Sequence, residues 1–285
     1  MRHLFGYVKR PDEVKRILAQ KSRPTFKEAA PGLANIWQGQ EVGLWQAAKV
    51  VTGGHLPAHQ QTIGDCVSQG YGRGVDDLYC VKQSAGLVTG YREAMTEAIY
   101  GSSRKGRLGW WDGSNGIWAV DGLKRDGYVF RDKPYSGKLA KEYAYRGLPQ
   151  ALVVEGQNRI LEDYALVEDP QDAANALLAG SPIPICSNVG FTEVRNADGI
   201  CVASGVWNHC MLVIGLYKVA GKWYFVILQS WGPNSPRGPI PSVGFPSNAF
   251  GCSWDTMGRI LKQKDSFALN GVRGWKPVEN VSWVM

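Results

Sequence analysis

Apolar residues in the first half of the chain recur mostly at the three- and four-residue spacing of an amphipathic helix. The stretch that begins at Cys66 keeps this spacing through Leu78, although it contains three glycines. Each glycine weakens a helix by about 1 kcal/mol relative to alanine, so we expect this helix to be buried in close contact with its neighbours. A further helix is capped by Asp169, has Pro170 in its first turn and stops at Gly180. The pattern also predicts helices over residues 11–20, 42–51, 66–81 and 117–125, and an extended connector over 21–40.

After residue 180 the pattern changes to short apolar runs bounded by glycine and lysine, which are typical of strands. These runs cover residues 182–186, 210–217 and 223–228. A last strand-like run, residues 267–269, comes before Trp275 and Trp283. We expect this C-terminal stretch to pack against the sheet.

A helical half followed by a β-rich half indicates an α+β fold of two lobes with a cleft between them. The 44% hydrophobic content is enough to bury one sizeable core or two smaller ones. The sequence predicts three parts: a basic N-terminal arm (residues 1–40), a helical lobe (residues 41–150) and an antiparallel β lobe (residues 151–285).

The composition argues against several classes of protein. No uninterrupted apolar run reaches about 18 residues, so no membrane span is predicted. Charged residues follow Met1 too closely for a secretory signal peptide, which predicts synthesis in the cytoplasm. The six cysteines are widely spaced and form no Cys-x-x-Cys pair, so we expect buried thiols rather than a disulfide framework or a metal site. No cofactor is predicted.

Positive charge is concentrated at the start of the chain. Residues 1–30 contain eight Lys or Arg and three acidic residues, which places +5 of the net +7 in this segment. One interpretation is an arm that docks on an acidic partner or on nucleic acid, and the other is a solvated terminal segment. The rest of the chain is close to neutral, so we expect no nucleic-acid binding outside residues 1–30.

Cys66 is the candidate nucleophile. It follows the turn residues Gly64-Asp65 and begins the predicted glycine-containing helix. The positive end of the helix dipole favours the thiolate, which is the reactive form of cysteine. The backbone N–H of Cys66 and the side-chain amide of Gln60 are candidates to bind a developing oxyanion.

His209 is the candidate base, placed where a coil enters an apolar strand. The alternative is a hydrogen-bonded core histidine. Twenty residues later, Gln229 and Trp231 lie at the end of the next predicted strand. Two neighbouring antiparallel strands would place Gln229 beside His209, with Trp231 covering both. This gives a nucleophile, a base and an orienting amide in that order along the chain.

These residues resemble those of the papain-like cysteine peptidases. Gln60 lies six residues before Cys66, Asn208-His209 is followed by a strand that ends in Gly-Leu-Tyr, and Gln-Ser-Trp-Gly stands where the family has Asn-Ser-Trp-Gly. The separation of 143 residues from Cys66 to His209 also suits this family. Gly113-Ser114 resembles its substrate-binding strand. The resemblance implies catalytic roles for Cys66, His209, Gln229 and Gln60, and substrate-binding roles for Gly113, Ser114, Asn208 and Trp231.

The sequence also departs from the family pattern. Val67 stands where the family usually has tryptophan, and Ile63 stands where it has a cysteine. Gln229 is one methylene longer than the family's asparagine. The segments Gly64-Asp65-Cys66-Val67-Ser68 and Asp265-Ser266-Phe267-Ala268-Leu269 resemble papain-like proteins encoded by bacteriophages.

These observations suggest two functions. The first is a thiol hydrolase that cleaves peptide or isopeptide bonds, in a viral precursor or in peptidoglycan, and acts in the host cytoplasm. The second is a virion component with the same fold and little or no catalysis, which contacts other virion proteins through its basic arm. A free enzyme predicts an open cleft with a reactive thiol, whereas a structural component predicts a cleft filled by its own chain or by a partner.

Overall fold

A computed structural model of the chain describes residues 4–20, 24–107, 109, 111–271 and 283–285. Trp275 lies outside the described residues, as do the basic residues Arg2, Lys21 and Arg23. The helices are α1 (Pro11–Gln20), α2 (Phe26–Ala29), α3 (Trp45–Thr52), α4 (Cys66–Ser84), α5 (Thr96–Arg104), α6 (Gly116–Arg125), α7 (Gly137–Arg146), α8 (Gln150–Gly156), α9 (Pro170–Leu178) and α10 (Trp254–Leu261). The strands are β1 (Val42–Gly43), β2 (Asp163–Leu166), β3 (Ile183–Phe191), β4 (Ala203–Val219), β5 (Lys222–Leu228), β6 (Ala249–Ser253) and β7 (Phe267–Asn270).

The helix predictions for α1, α4, α6 and α9 are confirmed. Asp169 caps α9 by accepting a hydrogen bond from the N–H of Asp172, as the sequence predicts. The predicted helix over residues 42–51 is wrong at its start, because Val42 and Gly43 pair with β4 and the helix begins only at Trp45. The connector over residues 21–40 is also not fully extended, since α2 forms within it.

The glycines of α4 are explained by close packing. A β-carbon built on Gly70 would lie 3.1 Å from the sulfur of Cys210, and one on Gly74 would lie 2.9 Å from a methyl of Leu269. These contacts press the helix against β4 and β7. The predicted close contact is confirmed, and it brings the first turn of α4 against the strand that carries His209.

The main sheet has the order β1-β4-β5-β6, and β3 pairs with residues 203–213 of β4. All of these pairings are antiparallel, and β2 pairs with β7 in a separate two-stranded sheet. β4 is longer than predicted, because residues 203–208 pair with β3 although several of them are exposed. His209 therefore lies inside a strand and not where a coil enters one, which corrects the sequence prediction.

Two buried clusters hold the lobes together. The larger one packs the main sheet against α3, α9 and α10, and includes Trp283. The smaller one surrounds α4 and α6, and it also takes in Val14 and Ile17 of α1. The N-terminal basic region is thus folded onto the body through the apolar face of α1. The predicted domain boundaries and the predicted docking of this region on a partner stay predictions.

Among the described residues, no helix is long and apolar enough to cross a membrane.

Candidate active site

Cys66 is the first residue of α4 and lies at the floor of the cleft, with none of its surface exposed. Its sulfur accepts a hydrogen bond from the backbone N–H of Cys210 at 3.4 Å. The thiol is therefore directly against the strand that carries His209. Burial raises the pKa of the Cys66 thiol well above its ordinary value, so in this conformation desolvation outweighs the helix dipole, which favours the thiolate.

His209 is fully buried and pairs with Ser187 across the sheet. The indole of Trp231 stacks on its imidazole, with 4.4 Å between the ring centroids and 25° between the planes. Trp231 therefore covers His209 as the sequence predicts. This arrangement excludes water from one face of the imidazole.

Gln229 follows β5 and is 5% exposed. Its amide nitrogen donates a hydrogen bond to the hydroxyl of Ser235 at 3.0 Å. Its carbonyl oxygen is buried and accepts no hydrogen bond within the described part of the chain. A direct role of Gln229 in orienting His209 stays a prediction.

Gln60 and Gln61 lie side by side at the cleft, but only Gln61 is buried. The backbone of Gln60 forms an antiparallel bridge to Trp231. The side chain of Gln61 donates to the carbonyl oxygens of Leu4 and Ile63, at 3.2 and 2.9 Å. Sequence reasoning missed Gln61, since two successive glutamines carry no signal for which one faces inward.

The cleft is filled by the chain's own residues 4–8, which we call the cleft segment. The N–H of Tyr7 donates to the carbonyl of Asn208 on the β lobe at 3.1 Å. On the helical lobe, Ser114 donates its N–H to the carbonyl of Gly6 and accepts the N–H of Val8, both at 2.8 Å. The segment therefore binds both walls of the cleft through its main chain, in the manner of an added strand.

The cleft segment also fits closely beside the nucleophile. The carbonyl of Leu4 accepts a hydrogen bond from the indole N–H of Trp231 at 3.2 Å. A β-carbon built on Gly6 would lie 2.0 Å from the carbonyl oxygen of Gly64, and one on Gly113 would lie 2.6 Å from a methyl of Val8. With Ser114 and Asn208, all four residues predicted to bind substrate therefore border the cleft segment.

Solved structures match this architecture over most of the chain. Xylellain, a cysteine protease from Xylella fastidiosa, is 16% identical with a TM-score of 0.64, and the match covers 96% of this chain and 99% of xylellain. Digestive procathepsin L 3 of Tenebrio molitor is 15% identical with a TM-score of 0.58, over 90% of this chain and 79% of the other. Bromelain from Ananas comosus, in complex with the E64 inhibitor, is 15% identical with a TM-score of 0.53, over 81% and 98%.

The chain has the papain-like fold. The predicted α+β architecture of a helical lobe and a β lobe is therefore confirmed. No protein-family model matches the sequence, and a search of curated protein sequences gives no match.

Two buried carboxyl groups flank the papain-like cleft. Asp65, next to the nucleophile, accepts hydrogen bonds from Gln69 at 3.0 Å and from the hydroxyl of Tyr135 at 2.9 Å. Asp265 accepts the backbone N–H groups of Gly116 and Ile117 at the start of α6, at 3.0 and 2.9 Å. Burial raises the pKa of each carboxyl to about 7, although the hydrogen bonds act in the opposite direction.

The six cysteines all lie among the described residues, and each is a buried free thiol. Within the described ranges, no group of three or more His, Cys, Asp or Glu side chains has a geometry that could hold a metal ion.

Proposed function

We propose that the chain is a papain-like thiol peptidase that is latent while its cleft segment occupies the cleft. The observation that carries this proposal is the main-chain hydrogen bonding of residues 4–8 to both walls, next to a thiol at a helix N-terminus. A cleft that binds an extended chain through its backbone is suited to peptides of varied sequence. The thiol at its floor is in position to act on a bound peptide.

In the proposed reaction, Cys66 attacks the carbonyl carbon of a bound peptide. His209 takes the thiol proton and gives it to the leaving amine, which leaves a thioester on Cys66. His209 then takes a proton from a water molecule that attacks the thioester, and it returns that proton to the sulfur as the acid product leaves. The N–H of Cys66 and a side-chain amide stabilise the oxyanion, with Gln60 as the expected donor and Gln61 as its buried neighbour. Gln229 would orient the imidazole once its carbonyl oxygen accepts a ring N–H.

The path of the cleft segment explains why it would not be cleaved. Residues 6 and 8 both bond to Ser114, so Tyr7 pairs with Ser114 in the parallel sense. The carbonyl of Gly6 accepts the N–H of Ser114, and the N–H of Tyr7 donates to the carbonyl of Asn208, so the segment runs in one fixed direction past the thiol. We infer that this direction does not present a carbonyl carbon of the segment to the sulfur of Cys66. The match to procathepsin L 3, a proform by its name, supports a latent state.

The second candidate is an interaction protein of a virion with little or no catalysis. A cleft filled by the chain itself and a buried thiol with a raised pKa are what that alternative predicts. A bacteriophage origin, a virion or host-cytoplasm location, and a viral-precursor or peptidoglycan substrate all stay predictions. The two functions predict different activities for a chain whose cleft segment has been expelled: the peptidase gains hydrolysis, and the interaction protein does not.

Hydrolysis of fluorescently quenched casein by three forms of the full-length chain tests the proposal. We expect Gly6→Ala to expel the cleft segment, because its new methyl group would overlap the backbone of Gly64. Gly6→Ala should hydrolyse casein at least about 10-fold faster than the unchanged chain, and Gly6→Ala/Cys66→Ala should be inactive. If Cys66 in Gly6→Ala reacts quickly with iodoacetamide but casein stays intact, the peptidase proposal fails and the interaction function is favoured.

A further inference from the structure

Three cysteine side chains meet where α4 contacts the β lobe. Cys186 on β3 is directly opposite Cys210 on β4, and both belong to the same buried cluster as Cys66. The backbone N–H of Cys210 donates to the sulfur of Cys66 at 3.4 Å. A β-carbon built on Gly70 would lie 3.1 Å from the sulfur of Cys210, so this sulfur lies against α4 one turn beyond Cys66. Cys210 therefore contacts the nucleophile across the lobes and faces Cys186 across the sheet.

Cys186 and Cys210, which we call the thiol pair, have the backbone geometry of a cross-strand disulfide. The N–H of Cys186 donates to the carbonyl of Asp265 at 3.3 Å. The N–H of Cys210 donates to Cys66, so neither N–H of the thiol pair bonds across to the opposite strand. In such a non-hydrogen-bonded antiparallel pair the Cα atoms are about 4.5 Å apart and the side chains share one face. Disulfides join cysteines whose Cα atoms are about 4.4–6.8 Å apart, so closing this one requires little movement of either strand.

We propose that the thiol pair is a redox site that takes over the oxidation of Cys66 and returns this residue to its thiol form. Cys66 is the thiol that a small oxidant such as hydrogen peroxide meets first, because it begins a helix at the floor of the cleft. Burial raises the pKa of Cys186 well above its ordinary value, and Cys210 raises it further, so the thiol pair by itself reacts slowly with an oxidant. The inference goes beyond the proposed peptidase and requires only that Cys66 becomes accessible.

The cleft segment controls that access. Tyr7 belongs to the same buried cluster as the three cysteines, each of which is at most 1% exposed while the segment is in place. Departure of the segment removes Tyr7 from this cluster and uncovers Cys66. The open chain is therefore the form in which the nucleophile is at risk of oxidation and in which the thiol pair would act.

The proposed relay has three steps. Hydrogen peroxide transfers one oxygen to the Cys66 thiolate, which gives a sulfenic acid and a hydroxide that takes up the proton lost by the thiol. The Cys210 sulfur attacks the sulfenic sulfur, so that an S–S bond forms, the S–O bond breaks and water leaves with the Cys210 proton. Cys186 then attacks the Cys210 sulfur, releases Cys66 and passes its proton to the Cys66 sulfur. The thiol pair has then lost two electrons and two protons, and one peroxide has become two waters.

Disulfide mapping of the full-length Gly6→Ala chain tests the relay without any substrate. The reduced chain is treated with a small excess of hydrogen peroxide at pH 7.5, free thiols are blocked with iodoacetamide, and unreduced peptides are identified by mass spectrometry. We expect a Cys186–Cys210 disulfide in more than about half of the chains, with Cys66 still labelled by iodoacetamide. Cys80→Ala is the matched control, because Cys80 is a fully buried thiol of α4 in the other cluster, and it should give the same yield.

Two further variants in the Gly6→Ala background separate the steps of the relay. Cys66→Ala should slow formation of the Cys186–Cys210 disulfide at least about 10-fold, because the oxidant then has to react with the thiol pair directly. Cys186→Ala should stop the relay at a disulfide between Cys66 and Cys210. An unchanged rate in Cys66→Ala, or sulfinic acid on Cys66 in place of the mixed disulfide in Cys186→Ala, would overturn the relay.

Mapping of the Gly6→Ala chain decides by itself if either cysteine variant does not fold. Absence of a Cys186–Cys210 disulfide, or accumulation of sulfinic acid on Cys66 while the thiol pair stays reduced, would overturn the inference. A Cys186–Cys210 disulfide in a Gly6→Ala chain that leaves casein intact would overturn the peptidase and leave the redox site standing.

Discussion

The ring of Phe5 meets the imidazole of His209 edge-on, with 6.4 Å between the ring centroids and 80° between the planes. Phe5 also contacts Trp231, at 5.8 Å between centroids. The imidazole therefore lies between an indole on one face and a phenyl ring that belongs to the cleft segment. Because burial disfavours the charged form of histidine, removal of the cleft segment should favour both the thiolate and the imidazolium.

The first prediction concerns access to Cys66. Gly6→Ala should raise the rate of Cys66 alkylation by iodoacetamide at pH 7.5 at least about 10-fold, because a thiol covered by the cleft segment reacts slowly. Mass spectrometry of the labelled chain identifies the cysteine. Gly54→Ala is the matched control, since its new methyl group meets nothing within 4 Å, and it should label like the unchanged chain. An equal rate in Gly6→Ala would mean that the segment does not limit access.

The second prediction concerns His209 as the base. In the Gly6→Ala background, Cys66 should still alkylate rapidly at pH 6, as a thiolate paired with an imidazolium does. Adding His209→Ala should delay labelling until the pH approaches about 8.5, the ordinary pKa of a free thiol. Rate measurements from pH 5 to pH 9 in both variants give the two profiles. Superimposable profiles would remove His209 from the mechanism.

The third prediction separates two roles of Gln229. In the Gly6→Ala background, Gln229→Ala should lower kcat about 10-fold or more with little change in KM, because His209 loses its orienting carbonyl. Ser235→Ala removes only the partner of the amide nitrogen and should cost about 3-fold or less. Steady-state kinetics on one fluorogenic peptide compare them. Equal losses would indicate that Gln229 holds the loop at Ser235 and does not act on His209.

The fourth prediction uses the pKa of Asp65, which burial raises from 3.8 to about 7. Between about pH 4 and about pH 7 the folded chain keeps a proton that the unfolded chain has lost, so stability falls as the pH rises through this window. Asp65→Asn cannot titrate there, yet its carbonyl oxygen can still accept from Gln69 and Tyr135. The decrease in Tm from pH 4.5 to pH 8 should be smaller in Asp65→Asn by about 3 °C or more. Parallel curves would contradict the raised pKa.

Much of the fold could be predicted because local signals agree with the tertiary structure. The glycines of α4 cost helix propensity, and close packing against Cys210 explains why they are tolerated. β4 shows the opposite case. Its first six residues, 203–208, include exposed positions and lack an apolar pattern, and only pairing with β3 makes them a strand. The position of His209 within the strand was missed for this reason.

The sequence predicts the main residues of the candidate site, but it does not predict that the cleft segment fills the cleft. Motif spacing indicated Cys66, His209 and Trp231, and the fold brings all three to one cleft. The cleft segment has no local signal, since its binding depends on distant partners such as Gly64 and Ser114. The nearby positive charges instead suggested an arm that reaches outward. Asp265 was singled out only through a short likeness, and its hydrogen bonds to the start of α6 become visible only in three dimensions.

The two bonds from Asp265 to the start of α6 have a mechanical consequence. Its carboxyl holds the helical lobe while its backbone carbonyl accepts the N–H of Cys186 in β3 at 3.3 Å, so a single residue bridges the two walls. A hinge motion that separates the lobes at this point would break these buried hydrogen bonds. We therefore expect the site to become available when the cleft segment leaves it, and not when the lobes move apart.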